Sequence, residues 1–164
     1  MDKFFPLIFI FLWSSAFITG KVIVADSSPI AALCFRFTIV SIGFLFFVLI
    51  TKQKIVHSLG EISKAMSTGI LFHGIYLGGC WFALSKGVPA GIVALIVTLQ
   101  PILTALLAGP LLGEQVTWRQ WIGICLGFGG TLLVLGLNAF DEFPVIGLVA
   151  SIVALIAITA GTLC

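Results

Sequence analysis

Charged residues are scarce in this sequence: of 164 residues, eight are Lys or Arg and six are Asp or Glu, together 9%. Soluble domains carry roughly 25% charged residues, and about 25 to 35% of a soluble surface is normally charged. Apolar residues make up 60% of the chain. An ordinary soluble fold is therefore excluded, and the apolar surface is expected to face lipid.

Basic clusters and metal-binding patterns are also missing. The net charge is only +2 and the basic residues are scattered singly, so the chain lacks the stripe that would neutralise a phosphate backbone. The four cysteines, Cys34, Cys80, Cys125 and Cys164, lie in apolar runs without the paired spacing of a zinc site. We interpret them as small hydrophobic residues. The sequence predicts neither a nucleic-acid partner nor a bound metal.

Carboxylates are absent from the interior of the apolar runs. Every Asp and Glu lies at the end of a run or in a link between two runs, so no pair of buried carboxylates is available for acid–base catalysis. The Gly-Phe-Gly-Gly stretch at 127–130 follows an apolar helix, whereas a dinucleotide-binding loop follows a strand. We therefore predict a protein that is not an enzyme and has no cofactor.

Long apolar runs dominate what is present. About 20 mainly apolar residues are needed for a helix to cross about 30 Å of hydrocarbon. Turn-forming and charged residues separate six such runs, at 4–24, 29–50, 66–84, 89–112, 118–137 and 143–164, with links at 25–28, 51–64, 85–87, 113–115 and 138–142. The continuously apolar stretches 44–50 and 91–99 do not alternate as barrel strands do. The pattern predicts an all-α polytopic membrane protein, a bundle of about six transmembrane helices in the lipid bilayer.

Lys and Arg residues in the links predict the orientation, because they concentrate on the cytoplasmic side. With a cytoplasmic N-terminus, five would lie inside and two outside: Lys3, Lys52, Lys54, Lys64 and Arg119 against Lys21 and Lys86. A cleaved signal peptide with an apolar core at 4–13 is the alternative, but the apolar character continues to Val24. We expect a multi-pass protein of the cell inner membrane with a cytoplasmic N-terminus.

Several short motifs occur in an order typical of one transporter domain. Residues 12–17, Leu-Trp-Ser-Ser-Ala-Phe, and 33–37, Leu-Cys-Phe-Arg-Phe, resemble the first two helices of an EamA domain of the drug/metabolite transporter superfamily. The stretches at 82–96, 99–107, 112–114 and 120–123 are similar to the end of that domain. The chain therefore resembles an EamA domain from about Trp13 to Leu135.

The resemblance implies a carrier of ten helices in two five-helix repeats of inverted topology, with the substrate site between them. Residues 1–137 would be the first repeat and 143–164 the first helix of a second, truncated repeat, so the chain would be the N-terminal half of such a transporter. We expect transport of a small organic metabolite or drug-like solute by alternating access. Activity would then require a homo-oligomer or a separately encoded second half. The alternative is a non-transporting remnant or a scaffold that packs against other helices.

Arg36 lies inside the second apolar run, seven residues after Pro29, which is roughly 10 Å at 1.5 Å per residue. An Arg near the bilayer centre costs about 2.5 to 3.5 kcal/mol on insertion scales, so its charge needs compensation. It could hold an anionic substrate, reach the outer interface or pair with Asp26. On one face of the first helix, Ser14 and Lys21 are candidates for the same path, although Lys21 could instead reach lipid headgroups.

His73 and Tyr76 form a stripe with Cys80 on the third helix, at positions i, i+3 and i+7. A His that faces a water-filled cavity could exchange protons near neutral pH. It could equally form a hydrogen bond to a neighbouring helix. We therefore include His73 and Tyr76 among the residues predicted to line the substrate path.

Gln100 and Pro101 lie midway along the fourth run. Proline removes the hydrogen bond to the Val97 carbonyl, which bends the helix and exposes an acceptor at membrane depth. Broken helices at this depth often line transport sites, so we predict that Gln100, Pro101 and Thr104 line the path. A kink that serves packing, with Thr98 or water on the carbonyl, is the alternative.

Small residues four apart predict where helices approach closely. The pairs are Gly74 and Gly78, Gly87 and Gly91, and Gly123 and Gly127. We expect these pairs to form helix-packing faces.

Overall fold

The computed structural model of the chain describes residues 4–52, 58–113, 117–135 and 143–164. Within these ranges the chain is helical and contains no β-strand. The helices are α1 (Phe5–Asp26), α2 (Pro29–Thr51), α3 (Leu59–Gly69), α4 (Leu77–Ser85), α5 (Ala90–Val97), α6 (Gln100–Leu112), α7 (Trp118–Leu135) and α8 (Val145–Leu163), and a π-helical turn, Ile70–Tyr76, joins α3 to α4. The predicted all-α polytopic architecture is confirmed. Lys3, Lys54 and the predicted link residues 114, 115 and 138–142 lie outside the described residues.

Five helical segments are long and apolar enough to cross a membrane: α1, α2, Leu59–Ser85, Ala90–Leu107 and α8. Each corresponds to one predicted run. The remaining run, 118–137, forms α7, which is 18 residues long, begins with Trp118, Arg119 and Gln120, and is not among the five. The described chain therefore has six helical segments, of which five meet the requirements of length and composition.

Local sequence determines where several helices begin. Pro29 stands in the first turn of α2, where its missing N–H is not needed. At the start of α3 the Ser58 hydroxyl accepts a hydrogen bond from the Glu61 backbone N–H at 3.3 Å, which is the N-cap bond of a serine. The predicted link 51–64 is therefore wrong in its last part: this cap starts the helix at Leu59, before the apolar run begins.

The turn between α4 and α5 closes with a pattern typical of helix C-termini. The Gly87 N–H donates to the Leu84 carbonyl at 3.1 Å and the Val88 N–H to the Ala83 carbonyl at 3.2 Å, the two bonds of a Schellman motif. Gly87 has φ +96°, a conformation that favours glycine. Gly87 thus ends α4, whereas the sequence predicted a role in helix packing.

The fourth span is broken rather than bent. Helix α5 ends at Val97, and α6 begins at Gln100, which places Pro101 in the first turn of α6. A proline there causes no loss of helical hydrogen bonding within its own helix. The Thr98 hydroxyl donates to the Leu95 carbonyl at 2.7 Å, not to the Val97 carbonyl. Two short helices therefore replace the single kinked helix that the sequence predicted.

Helix α8 lies in the core of the bundle, against α4, the π-helical turn, α5 and α6. Ser151 and Thr159 are buried there, and their hydroxyls donate to the carbonyls of Gly147 and Leu155 within the same helix. A polar side chain can be buried at low cost when its hydrogen bond is satisfied in this way. The last segment of the chain therefore packs against the preceding bundle.

The closest approach of α4 to α8 occurs at Gly79. A Cβ atom at this position would lie 2.9 Å from the Ala150 carbonyl oxygen and 3.1 Å from the Ala154 Cβ. A Cβ at Gly78 or Gly123 would meet nothing within 4 Å. Within the described residues, no helix therefore packs closely at Gly78 or Gly123, and on α4 the close contact with α8 falls one residue further along, at Gly79.

Helices α1 and α2 lie at the periphery. α1 buries Gly20 and Val24, and α2 buries Leu33. Most of their large apolar side chains are exposed. In a membrane this surface would contact lipid or further helices, because soluble monomers rarely expose so large an apolar area to water.

Candidate functional site

A cavity of about 280 Å³ lies between α1, α2 and the segment formed by the π-helical turn and α4. Its polar and titratable groups are Arg36, His73, Tyr76 and Cys80. The other walls are apolar and include the aromatic residues Phe9, Trp13, Phe17, Phe72 and Trp81. We call this space the Arg36 cavity. It brings together Arg36, His73 and Tyr76, which the sequence singled out from separate observations.

Flat aromatic rings form the wall between α1 and the π-helical turn. Trp13 and Tyr76 are nearly parallel, with ring centroids 6.5 Å apart and an interplanar angle of 11°. On the α2 side, His73 meets Phe37 edge to face at 5.5 Å. Offset stacked and edge-to-face pairs are the favourable arrangements of aromatic rings. These contacts hold the cavity walls in defined orientations.

Arg36 supplies the charge of the cavity. Its side chain is exposed. Besides the Arg36 cavity, it borders a larger open cavity between α1 and α2, which Ser15 and Thr19 also line. Among the residues that the structure describes, it forms no hydrogen bond or ion pair, so the predicted pairing with Asp26 is not seen. The guanidinium is therefore available to a ligand.

Lys21 connects the ends of α1 and α4. Its Nζ donates to the Leu84 backbone carbonyl at 3.3 Å. A cation at this position also interacts favourably with the negative end of the α4 dipole. Lys21 is thus a helix-to-helix contact beside the Arg36 cavity and is not one of its lining residues.

The Lys21 contact places the C-terminal ends of α1 and α4 on one side of the bundle, where α2 begins. From that side, Arg36 lies seven residues into α2 and Tyr76 nine residues before the end of α4. At 1.5 Å per residue these positions correspond to depths of roughly 10 and 13 Å. The stacked ring of Trp13, thirteen residues before the end of α1, is attached deeper still. The backbone that carries Arg36 therefore lies nearer this end of the bundle than the backbone that carries Trp13.

A second cavity, of about 510 Å³, lies on the other side of α1 against α5 and the start of α6. Ser14, Gln100 and Pro101 line it. The Gln100 side-chain amide donates to the Thr162 hydroxyl of α8 at 2.9 Å. Thr104 lines neither cavity, and its buried hydroxyl has no partner among the described residues. The predicted residues are thus divided between two spaces.

One face of α1 lies between the two cavities and borders both of them. Phe9, Trp13 and Phe17 line both cavities, and their spacing of four residues puts them on one helix face. Periodicity in the sequence could have identified this face. The π-helical turn that carries His73 and Tyr76 has no comparable signal in the sequence, although such turns are frequent at functional sites.

Metal-binding side chains do not converge in the part of the chain that the structure describes: no group of three His, Cys, Asp or Glu is found there. His73 and Cys80 do share the Arg36 cavity. The positive charge of Arg36 in the same space would oppose a metal cation. The chemistry of this cavity suits an anion better.

Helices of membrane length define a polytopic membrane protein, and comparison with known families assigns the chain to one family. The model of the EamA-like transporter family matches residues 4–136. The chain belongs to this family, as the sequence motifs predicted.

Individual relatives are distant. The chain is 24% identical over 134 residues to a "Probable amino-acid metabolite efflux pump" of Escherichia coli, covering 82% of this chain and 42% of the relative. It is 27% identical to the "Uncharacterized inner membrane transporter YedA" of the same organism, covering 75% and 40%. It is 28% identical to "Protein PecM" of Dickeya dadantii, covering 92% and 48%. The chain thus spans less than half the length of these relatives, and no solved structure matches it.

Proposed function

We propose that this chain forms one wall of a pathway through which a small organic solute crosses the membrane by alternating access. The observation that carries the proposal is the Arg36 cavity, which places a free guanidinium, an imidazole and a phenol within membrane-length helices. Ionisable residues inside membrane segments mark substrate or ion pathways by default. Membership of a transporter family supports the same function.

The pathway needs a second wall. The α1 side of the Arg36 cavity is open: Leu12 and Trp13 line it yet remain 61% and 41% exposed. In carriers built from inverted repeats, the site lies between two facing helical units. A second copy of this chain, or a separate polypeptide segment with further helices, would supply that facing unit.

The cell inner membrane is the proposed location, with the N-terminus in the cytoplasm. The relative YedA is named an inner membrane transporter, which supports the first part. The distribution of Lys and Arg between the links supports the second. Residues 143–164 would be the first helix of a second repeat that follows the repeat at 1–137.

Flux measurements test the transport proposal. The purified chain is reconstituted in proteoliposomes and screened with a library of labelled small metabolites, and the same library is screened for efflux from cells that express the chain. Saturable flux of at least one compound is expected, and the Arg36→Gln variant should reduce it. Arg119→Gln is the matched control, since Arg119 lies at the start of α7, outside both cavities. No flux above protein-free liposomes and non-expressing cells would refute transport by copies of this chain alone.

A non-transporting scaffold is the second candidate, because α8 packs into the core and gives the bundle a buried centre of its own. In that case the glycine faces would serve binding to other helices. The same flux screen distinguishes the two candidates. A chain that self-associates or binds other membrane proteins but never moves solute would be a scaffold.

A further inference from the structure

We propose that the Arg36 cavity selects a small aromatic monocarboxylate, an anion with one flat ring system and no ammonium group. This inference rests on the proposed function and adds the chemical class of the substrate. Three features of the cavity support it: the charge, the shape of the walls, and the scarcity of acceptors for a cation.

The charge of the cavity is positive. Among the described residues that line it, Arg36 is the only charged side chain, because none of them is Asp, Glu or Lys. Arg36 has no ion-pair partner among the residues described by the structure. A guanidinium presents a fork of donors that matches a carboxylate with two parallel hydrogen bonds. In a membrane segment, such a ligand would also offset the cost of the buried charge.

The walls suit a flat apolar body. Beyond Arg36, the cavity is bordered by the stacked pair of Trp13 and Tyr76 and by Trp81 and Phe72. Aromatic rings bind other rings in offset or edge-to-face geometry, which adds to the apolar burial. The volume of about 280 Å³ lies just below the range of roughly 300 to 1,000 Å³ typical of drug-sized ligands. The cavity therefore fits a ligand of the size of a single-ring or two-ring metabolite.

The relative depth of these groups predicts how such a ligand would lie. Arg36 is attached roughly 10 Å from this end of the bundle along α2 and Tyr76 roughly 13 Å along its own span, with Trp13 further away on α1. A carboxylate at Arg36 would leave the ring to extend inward to the stacked pair. An ammonium group on the ligand would need a carboxylate or several acceptors. In the described part of the chain, the lining provides only the His73 and Tyr76 side chains, the Cys80 thiol and backbone carbonyls that are bonded within helices. A zwitterion or a cation is therefore disfavoured.

Equilibrium binding on the unaltered chain provides the first test. The chain in nanodiscs is titrated with radiolabelled 3-phenylpropionate, and three analogues of similar size compete: 3-cyclohexylpropionate, 3-phenylpropylamine and phenylalanine. They lack the aromatic ring, reverse the charge and add an ammonium group, respectively. We expect 3-phenylpropionate to bind most tightly, with a severalfold loss for the cyclohexyl analogue and a larger loss for the amine and the zwitterion. Equal or tighter binding of any of the three, or no saturable binding of the label, overturns the proposal.

Variants locate the binding in the cavity. Arg36→Gln should weaken 3-phenylpropionate binding about tenfold or more, because a hydrogen bond to a charged group is lost, and Arg36→Lys should weaken it less. Trp13→Leu should weaken the ring contact about 2- to 10-fold. Arg119→Gln should bind as the unaltered chain does. Unchanged affinity in Arg36→Gln overturns the assignment.

Binding and flux are separate readouts, so the two proposals can fail independently. If the chain transports other solutes in the metabolite screen but does not bind 3-phenylpropionate, the substrate class is wrong and the transport function stands. If it binds 3-phenylpropionate with the expected preferences but no solute moves, the site is correct and transport by this chain alone is wrong.

Discussion

Replacing Gly79 with Ala tests the core packing of α8 directly. The added Cβ would lie 2.9 Å from the Ala150 carbonyl oxygen and 3.1 Å from the Ala154 Cβ. Neither atom can move away by a change of side-chain rotamer, so α8 or α4 must shift by several tenths of an ångström. Overpacking of this kind costs about 1 to 3 kcal/mol, which corresponds to roughly 5- to 150-fold in the unfolding equilibrium.

The neighbouring glycine provides a matched control. Gly78→Ala adds the same methyl group to the same helix, where it would meet nothing within 4 Å. Both variants gain the helix propensity of Ala over Gly, about 1 kcal/mol, so the difference between them isolates the steric cost. Unfolding by SDS in mixed micelles, followed by circular dichroism, measures both. Equal stability of the two variants would refute the docking of α8 against Gly79.

Three further predictions concern single contacts and the orientation of the chain. Lys21→Met should lower the free energy of unfolding by about 1 kcal/mol, since the bond to α4 is lost, and Lys21→Arg should retain part of it in the same SDS titration. For Gln100 and Thr162, a double-mutant cycle with Gln100→Leu and Thr162→Val should give a coupling energy of about 0.6 kcal/mol and at most about 1.7 kcal/mol; zero coupling would contradict the hydrogen bond. In a background without the four native cysteines, Ser58→Cys should react with a membrane-impermeant thiol reagent only from the cytoplasm and Ser27→Cys only from outside, and the reverse pattern would overturn the orientation.

The sequence by itself determined the membrane class and most helix positions. Whether a segment enters lipid depends on its own length and apolar content, so each predicted run appears as helix in the described residues. A distortion of the fourth run near Pro101 was also predictable, because a helix cannot continue through a proline without losing a backbone donor, whereas its form, a break into two helices, was not. The family assignment followed from motifs spread along the same runs. All of these features can be recognised without knowing which helix contacts which.

Only the tertiary structure decided how the predicted polar residues are grouped. Successive side chains on an α-helix point about 100° apart. An error of one residue in a predicted contact therefore selects a different helix face and a different neighbour, as at Gly78 and Gly79. The π-helical turn changes this rotation within the third span and places His73 and Tyr76 beside Arg36, whereas Gln100 and Ser14 fall on the other side of α1. The core position of α8 likewise depends on close approach between residues far apart in the chain, such as Gly79 and Ala150. Such pairings cannot be predicted from local sequence, because they arise from the packing of whole helices against one another.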